Sequence, residues 1–257
     1  MPFEFGWFST GRDLAARQLL QAVCDKIKEG FIPGEITFVF CDRERGEAEQ
    51  SDLFLDLAAE LDLATITFSS RRFKPELRKK DREQWRTEYH EGVMERIAAH
   101  KTALLVLAGY MLILSPEMCK RYPTINLHPA LPNGPTGAWE EVIEELIRQR
   151  ADITGAMMHL VTPELDRGPV VAYYCFPIQG GAFAPFWKGV SEKRGPLFWL
   201  IRQEGVRREI PLLILTLKAV AEGRVQIKEG QVLDSKGKEL PGLVLTQAVE
   251  DYLKGLR

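Results

Sequence analysis

The stretch INLHPALPNGP, residues 125–135, carries Asn126 and His128 on alternate positions of a short apolar run and then breaks into prolines and a glycine. Residues two apart in a strand share a face, so the amide and the imidazole project side by side where this strand stops. In a parallel α/β sheet the carboxyl ends of strands are where ligands bind, and paired polar groups at such an end are unusual for a plain turn.

The rest of the chain supports such a sheet. Apolar runs at 3–8, 36–40, 64–68, 102–108 and 124–127 read as strands and alternate with segments of helical period. RDLAARQLLQAVCDKIKEG has a stripe of Leu14, Leu19, Leu20, Val23 and Ile27 closed by Gly30, and SDLFLDLAAELDL begins with Ser51 as its expected cap. Residues 71–100 are heavily charged with both signs, which predicts a solvated loop and helix rather than a basic patch. After the fifth strand come a helix at 137–150 and two runs, 155–161 and 170–178, joined by TPELDRGP, which predict antiparallel strands added to the parallel sheet. A helix over 196–222 with an expected interruption at Pro211, a small hairpin in RVQIKEGQVLDSKGKELPG and a last helix at 245–256 complete the reading. We therefore expect one α/β domain: a Rossmann-like half at 1–123, a second half at 124–228 and an extension at 229–257.

Composition narrows the partners. The chain has 257 residues, 27% of them charged, with a formal net charge of −2. This mixed balance favours neither nucleic acid nor an anionic membrane. Cys24, Cys41, Cys119 and Cys175 are scattered without a C-x-x-C pair, and no run approaches the roughly 18 apolar residues of a membrane span. A reducing cytoplasm is the expected setting.

Candidate chemistry sits at three strand ends. The turn Ser9, Thr10, Gly11 and Arg12 opens a helix whose N-terminus could hold an anion such as a phosphate. LAGYMLILSP, with Gly109 and then Leu112, Ile113 and Leu114, would make an apolar wall for a flat heterocycle. At the third, Asn126 and His128 suit an oxyanion or a carbonyl, and Asp166 in ELDRGPVV could orient the imidazole and raise its pKa by favouring the charged form.

LAGYMLILSP, INLHP followed by a proline-rich turn, and TGAMMHLVTPELDRGPVV, in this order and spacing, resemble the folate-dependent formyltransferases, most closely the glycinamide ribonucleotide transformylases. The resemblance implies Asn126, His128 and Asp166 as the catalytic groups. It implies a folate pocket from Leu112, Ile113 and Leu114 with Val161, Thr162 and Leu165, and acceptor binding at Ser9, Thr10, Gly11 and Arg12. It also implies a cis bond at Leu131–Pro132. The cosubstrate would be 10-formyltetrahydrofolate, with no metal. Partners would be small-molecule substrates, with no nucleic acid and no membrane, and the resemblance admits a homodimer. Departures from the pattern fall on the acceptor side: STGRDL in the first turn, GPTGAWEE after the prolines, where a second histidine is usual, and Val206 in EGVRRE at an acidic position. The implied reaction is formyl transfer to glycinamide ribonucleotide in purine synthesis. An amine on a sugar nucleotide is the alternative acceptor, and a folate- or nucleotide-binding relative without turnover is the alternative of another class.

Overall fold

The computed structural model describes residues 2–188 and 195–255. The expected parallel strands form as β1 (Phe3–Ser9), β2 (Gly34–Cys41), β3 (Thr65–Thr67), β4 (Leu104–Leu107) and β5 (Thr124–His128). They alternate with α1 (Leu14–Lys28), α2 (Glu49–Glu60), α3 (Pro75–Lys80), α4 (Arg82–Ile97) and α5 (Pro116–Arg121). Next come α6 (Trp139–Arg148), the antiparallel pair β6 (Ile153–Leu160) and β7 (Val170–Pro177), α7 (Ala184–Trp187) and α8 (Pro196–Ala221). The chain closes with the hairpin β8 (Val225–Lys228) and β9 (Gln231–Asp234), then β10 (Leu243–Val244) and α9 (Thr246–Gly255).

One eight-stranded sheet has the order β10-β7-β6-β5-β4-β1-β2-β3, and β8–β9 stands apart as a two-stranded sheet. The chain winds outward from β1 to β3 and then returns to place β4 on the other side of β1, which opens a crevice between their carboxyl ends. Alternation along β1 feeds two cores. Phe5 and Trp7 pack with α1, α2 and α8, and Phe8 packs on the opposite face with Trp85, Tyr89 and Tyr110.

Several expectations are corrected. Ser51 does not cap α2: the helix begins at Glu49, and the buried Ser51 hydroxyl donates to the Thr10 carbonyl at 2.9 Å. Pro211 does not interrupt α8, because burial on both sides of it, from Glu209 to Ile214, stabilises an unbroken helix despite one lost hydrogen bond. Segment 71–100 is not simply solvated. Trp85, Tyr89, Val93 and Ile97 recur every four residues and bury one face of α4, while the charged residues cover the other. All described peptide bonds are trans, so the cis bond at Leu131–Pro132 is absent; the turn closes instead with Asn133 at φ 62° and Gly134 N–H donating to the Leu131 carbonyl. The short strand β10, parallel to β7, was invisible in the sequence pattern because two residues carry no period.

Candidate active site

The carboxyl ends of β1, β4 and β5 surround a cavity of about 320 Å³. Its wall includes Asn126, His128 and Asp166, all six residues expected for a folate pocket (Leu112, Ile113, Leu114, Val161, Thr162 and Leu165), and Arg12. Ser9, Thr10 and Gly11 do not line it. Ser9 and Thr10 are buried, and their hydroxyl oxygens accept from the Gly11 and Met111 N–H groups at 3.1 and 3.0 Å. The N-terminus of α1 is likewise occupied: the Asp13 carboxylate accepts from the Ala16 N–H at 3.0 Å. The first turn is thus closed on itself, and of its four expected residues only the Arg12 side chain reaches the cavity.

Strand pairing adds a histidine that sequence reasoning missed. β5 and β6 run antiparallel with Asn126 opposite His159, and the Asn126 amide nitrogen lies 3.2 Å from His159 Nε2. His159 Nδ1 lies 2.8 Å from the Leu160 carbonyl, so Nε2 is the ring nitrogen that faces both the Asn126 amide and Asp166. A register shift at Met158/His159 accompanies this placement, as β-bulges often do beside functional groups. In the sequence the only signal was one imidazole in the apolar run GAMMHL.

Asp166 sits between both imidazoles. Its Oδ2 is 3.5 Å from His128 Nδ1, and its Oδ1 is 3.6 Å from His159 Nε2. The Gly137 N–H donates to Oδ2 at 3.0 Å, tying the proline-rich turn to the carboxylate. Asp166 has φ 55°, a left-handed conformation open to Asp and Asn. Its turn presses back on β6 so closely that a Cβ at Gly168 would lie 1.8 Å from the Leu160 carbonyl oxygen, so only glycine fits there. His128 Nε2 meets the Pro135 carbonyl at 2.9 Å.

Burial decides the charge state. Desolvation pushes the His128 pKa below its ordinary value, outweighing Asp166 and the Pro135 carbonyl, which act in the opposite sense. The expectation that Asp166 would raise that pKa above the free value is therefore corrected: the carboxylate moderates a larger desolvation effect. Burial opposes ionisation of Asp166 too, but His159, His128 and the Gly137 N–H together hold its pKa below the usual carboxylate range. At neutral pH the resting pair is a carboxylate beside a neutral imidazole.

The acceptor-facing departures gather on one side of the same cavity. Arg12 lies 3.4 Å from Glu140, while Arg202 pairs with the buried Glu209 at 3.1 Å and lies over the Trp139 ring at 4.5 Å. Desolvation raises the Glu209 pKa, and the nearby Asp13 adds to this. Val206 does not line the cavity, whereas Glu209, three residues further along α8, does.

Residues 15–181 match the family model described as formyl transferase. The chain belongs to the formyl transferase family. Among its relatives, the phosphoribosylglycinamide formyltransferase of Schizosaccharomyces pombe is 32% identical over 168 residues, covering 62% of this chain and 77% of that protein. The Escherichia coli enzyme of the same name is 28% identical over 165 residues, covering 63% and 69%. The fold also matches the solved structure of the Coxiella burnetii phosphoribosylglycinamide formyltransferase, with a TM-score of 0.72, 22% identity, and coverage of 95% and 99%. As a formyl transferase, this chain carries Asn126, His128 and Asp166 at the carboxyl edge of its sheet, all on the wall of one cavity.

Proposed function

We propose that this formyl transferase moves the formyl group of 10-formyltetrahydrofolate to the amine of glycinamide ribonucleotide, a step of purine synthesis, in the cytoplasm. The observation that carries the reading is the shared cavity: Asn126, His128 and Asp166 stand beside the apolar wall of Leu112, Ile113 and Leu114 and the turn bearing Val161, Thr162 and Leu165. The halves 1–123 and 124–228 work as one catalytic unit, the first supplying Arg12 and the apolar wall and the second the reacting groups.

The neutral acceptor amine attacks the formyl carbon, forming a C–N bond and an oxyanion. Asn126 Nδ2 and the His128 Nε2–H donate to that oxyanion, the substrate oxygen replacing the Pro135 carbonyl as the acceptor of the His128 proton. Asp166 favours the imidazolium form as negative charge develops beside it. The attacking nitrogen then loses a proton, and the bond to folate N10 breaks as that nitrogen takes up a proton through water held near Asp166. The charge balances without a covalent enzyme intermediate.

A second acceptor reading, an amine on a sugar nucleotide, is favoured by the closed first turn, where the Ser9 and Thr10 hydroxyls are committed and Asp13 caps α1. Turnover of 10-formyltetrahydrofolate with glycinamide ribonucleotide, and with amino-sugar nucleotides, followed as release of free folate, tests both. Release with the ribonucleotide as acceptor is the expected result. Release with neither would leave a binding protein.

A further inference from the structure

The turn that links β5 to α6 is held from three sides. The Gly137 N–H donates to Asp166 Oδ2 at 3.0 Å, inside the site. Two residues on, Trp139 opens α6, and Arg202 of α8 lies over its ring, 4.5 Å from the centroid. Glu140, the next residue, meets Arg12 at 3.4 Å.

The grip on Trp139 is itself fixed. Arg202 is anchored to the buried Glu209 at 3.1 Å, which sets the plane of the stacked guanidinium. Phe198 and Trp199 of α8 meet the same indole, with ring centroids 5.6 and 6.2 Å away. One helix thus lends a cation and two aromatic rings to a single side chain. The Trp139 indole N–H has no partner among the described residues, so the clamp acts through the ring. Glu141 Oε2 accepts from the Ala138 N–H at 2.9 Å and tightens the same turn. Only Ala138 separates Trp139 from Gly137, so a displaced indole moves the N–H that holds Asp166.

We propose that Trp139 is a positioning residue: the α8 clamp on its ring seats the Gly137 N–H on Asp166 and so keeps that carboxylate against His128 for formyl transfer. The proposal rests on the reaction proposed above. Burial, His159 and Arg167 all disfavour the His128 imidazolium, and only Asp166 and the Pro135 carbonyl favour it. A carboxylate released by the turn leaves the imidazole with less of the anion that supports its charge.

The test reads His128 directly. Nuclear magnetic resonance titration of the imidazoles, with His128 assigned by its loss in His128→Ala, gives its pKa without turnover. In Trp139→Leu that pKa should fall further, and Trp139→Phe, which keeps an aromatic face, should restore it. A structural role alone would let water into the turn and raise the pKa, because burial is what depresses it. Arg202→Lys keeps a cation for Glu209 and loses the flat guanidinium. It should move the pKa the same way, and it carries the comparison if Trp139→Leu does not fold. In turnover, Trp139→Leu should lower kcat about tenfold with each KM nearly unchanged. Once Asp166 is already Asn, the same change should cost less than about twofold. A raised or unchanged His128 pKa, or an equal loss in both backgrounds, would overturn the positioning role alone. A higher acceptor KM at unchanged kcat would also overturn it, making Trp139 a substrate contact. A wild type that turns over no acceptor would overturn the proposed reaction and the positioning role with it.

Discussion

Oδ2 of Asp166 lies 3.5 Å from Nδ1 of His128, and both side chains are almost wholly buried. At that depth neither group can exchange its partner for water, so removing the carboxylate's charge changes the proton affinity of the imidazole directly.

Asp166→Asn is expected to keep the fold, since Asn tolerates the left-handed backbone at this position. It should lower kcat at least a hundredfold, about 2.7 kcal/mol of transition-state stabilisation. Steady-state turnover with the productive acceptor measures it, and retention of more than about a tenth of the rate, ~1.4 kcal/mol, would remove Asp166 from the reaction.

The pH dependence of kcat/KM should be a bell, because the amine must be neutral while protonated His128 is the stronger donor. Burial holds the His128 pKa below the ordinary imidazole value and so below that of the amine, and the low-pH limb of the bell, where the rise levels off, belongs to His128. In Asp166→Asn that limb should move to still lower pH, because the anion that favours the imidazolium is gone. Superimposable profiles after scaling would mean that the two groups are uncoupled.

Gly137→Ala should disturb the site through backbone alone. Gly137 has φ 102°, a Cβ there would fall 2.3 Å from Glu141 Oε2, and its N–H is a donor to Asp166. The strain should cost roughly 1–3 kcal/mol of stability. A shift of the turn should also lower kcat about tenfold, ~1.4 kcal/mol. Urea melts and turnover on the same sample separate the two effects.

His90 gives a stability prediction away from the site. It is fully buried, its Nδ1 bonds the Arg86 carbonyl, its Nε2 has no partner among the described residues, and desolvation lowers its pKa to about 4. Above its unfolded pKa of about 6.5 it is neutral in both states. As pH falls from there to about 4, the unfolded chain takes up the proton first, so stability drops by roughly 3 kcal/mol. His90→Leu should flatten that part of the curve of unfolding free energy against pH. An unchanged slope would assign the acid sensitivity to other groups.

Arg202→Leu leaves the Glu209 carboxylate buried without its cation. A loss of about 3 kcal/mol in unfolding free energy is expected, and the double variant with Glu209→Leu should recover most of it. A double-mutant cycle by denaturant titration measures the coupling.

By itself the sequence determined what short-range period and turn chemistry can carry. The strand rhythm gave the parallel sheet, the spacing of two put Asn126 and His128 on one face, and LDRGP marked the tight turn that presents Asp166. Tertiary structure decided everything that depends on which distant segments meet. The β5–β6 register, not any local pattern, sets His159 against Asn126. The loop after β4 commits the Thr10 hydroxyl through the Met111 N–H, a group that the sequence offered to an acceptor. Burial sustains α8 through Pro211, and it outweighs the Asp166 charge in setting the His128 pKa. Local pattern depends on neighbours a few residues away, whereas register and desolvation depend on the whole packed chain.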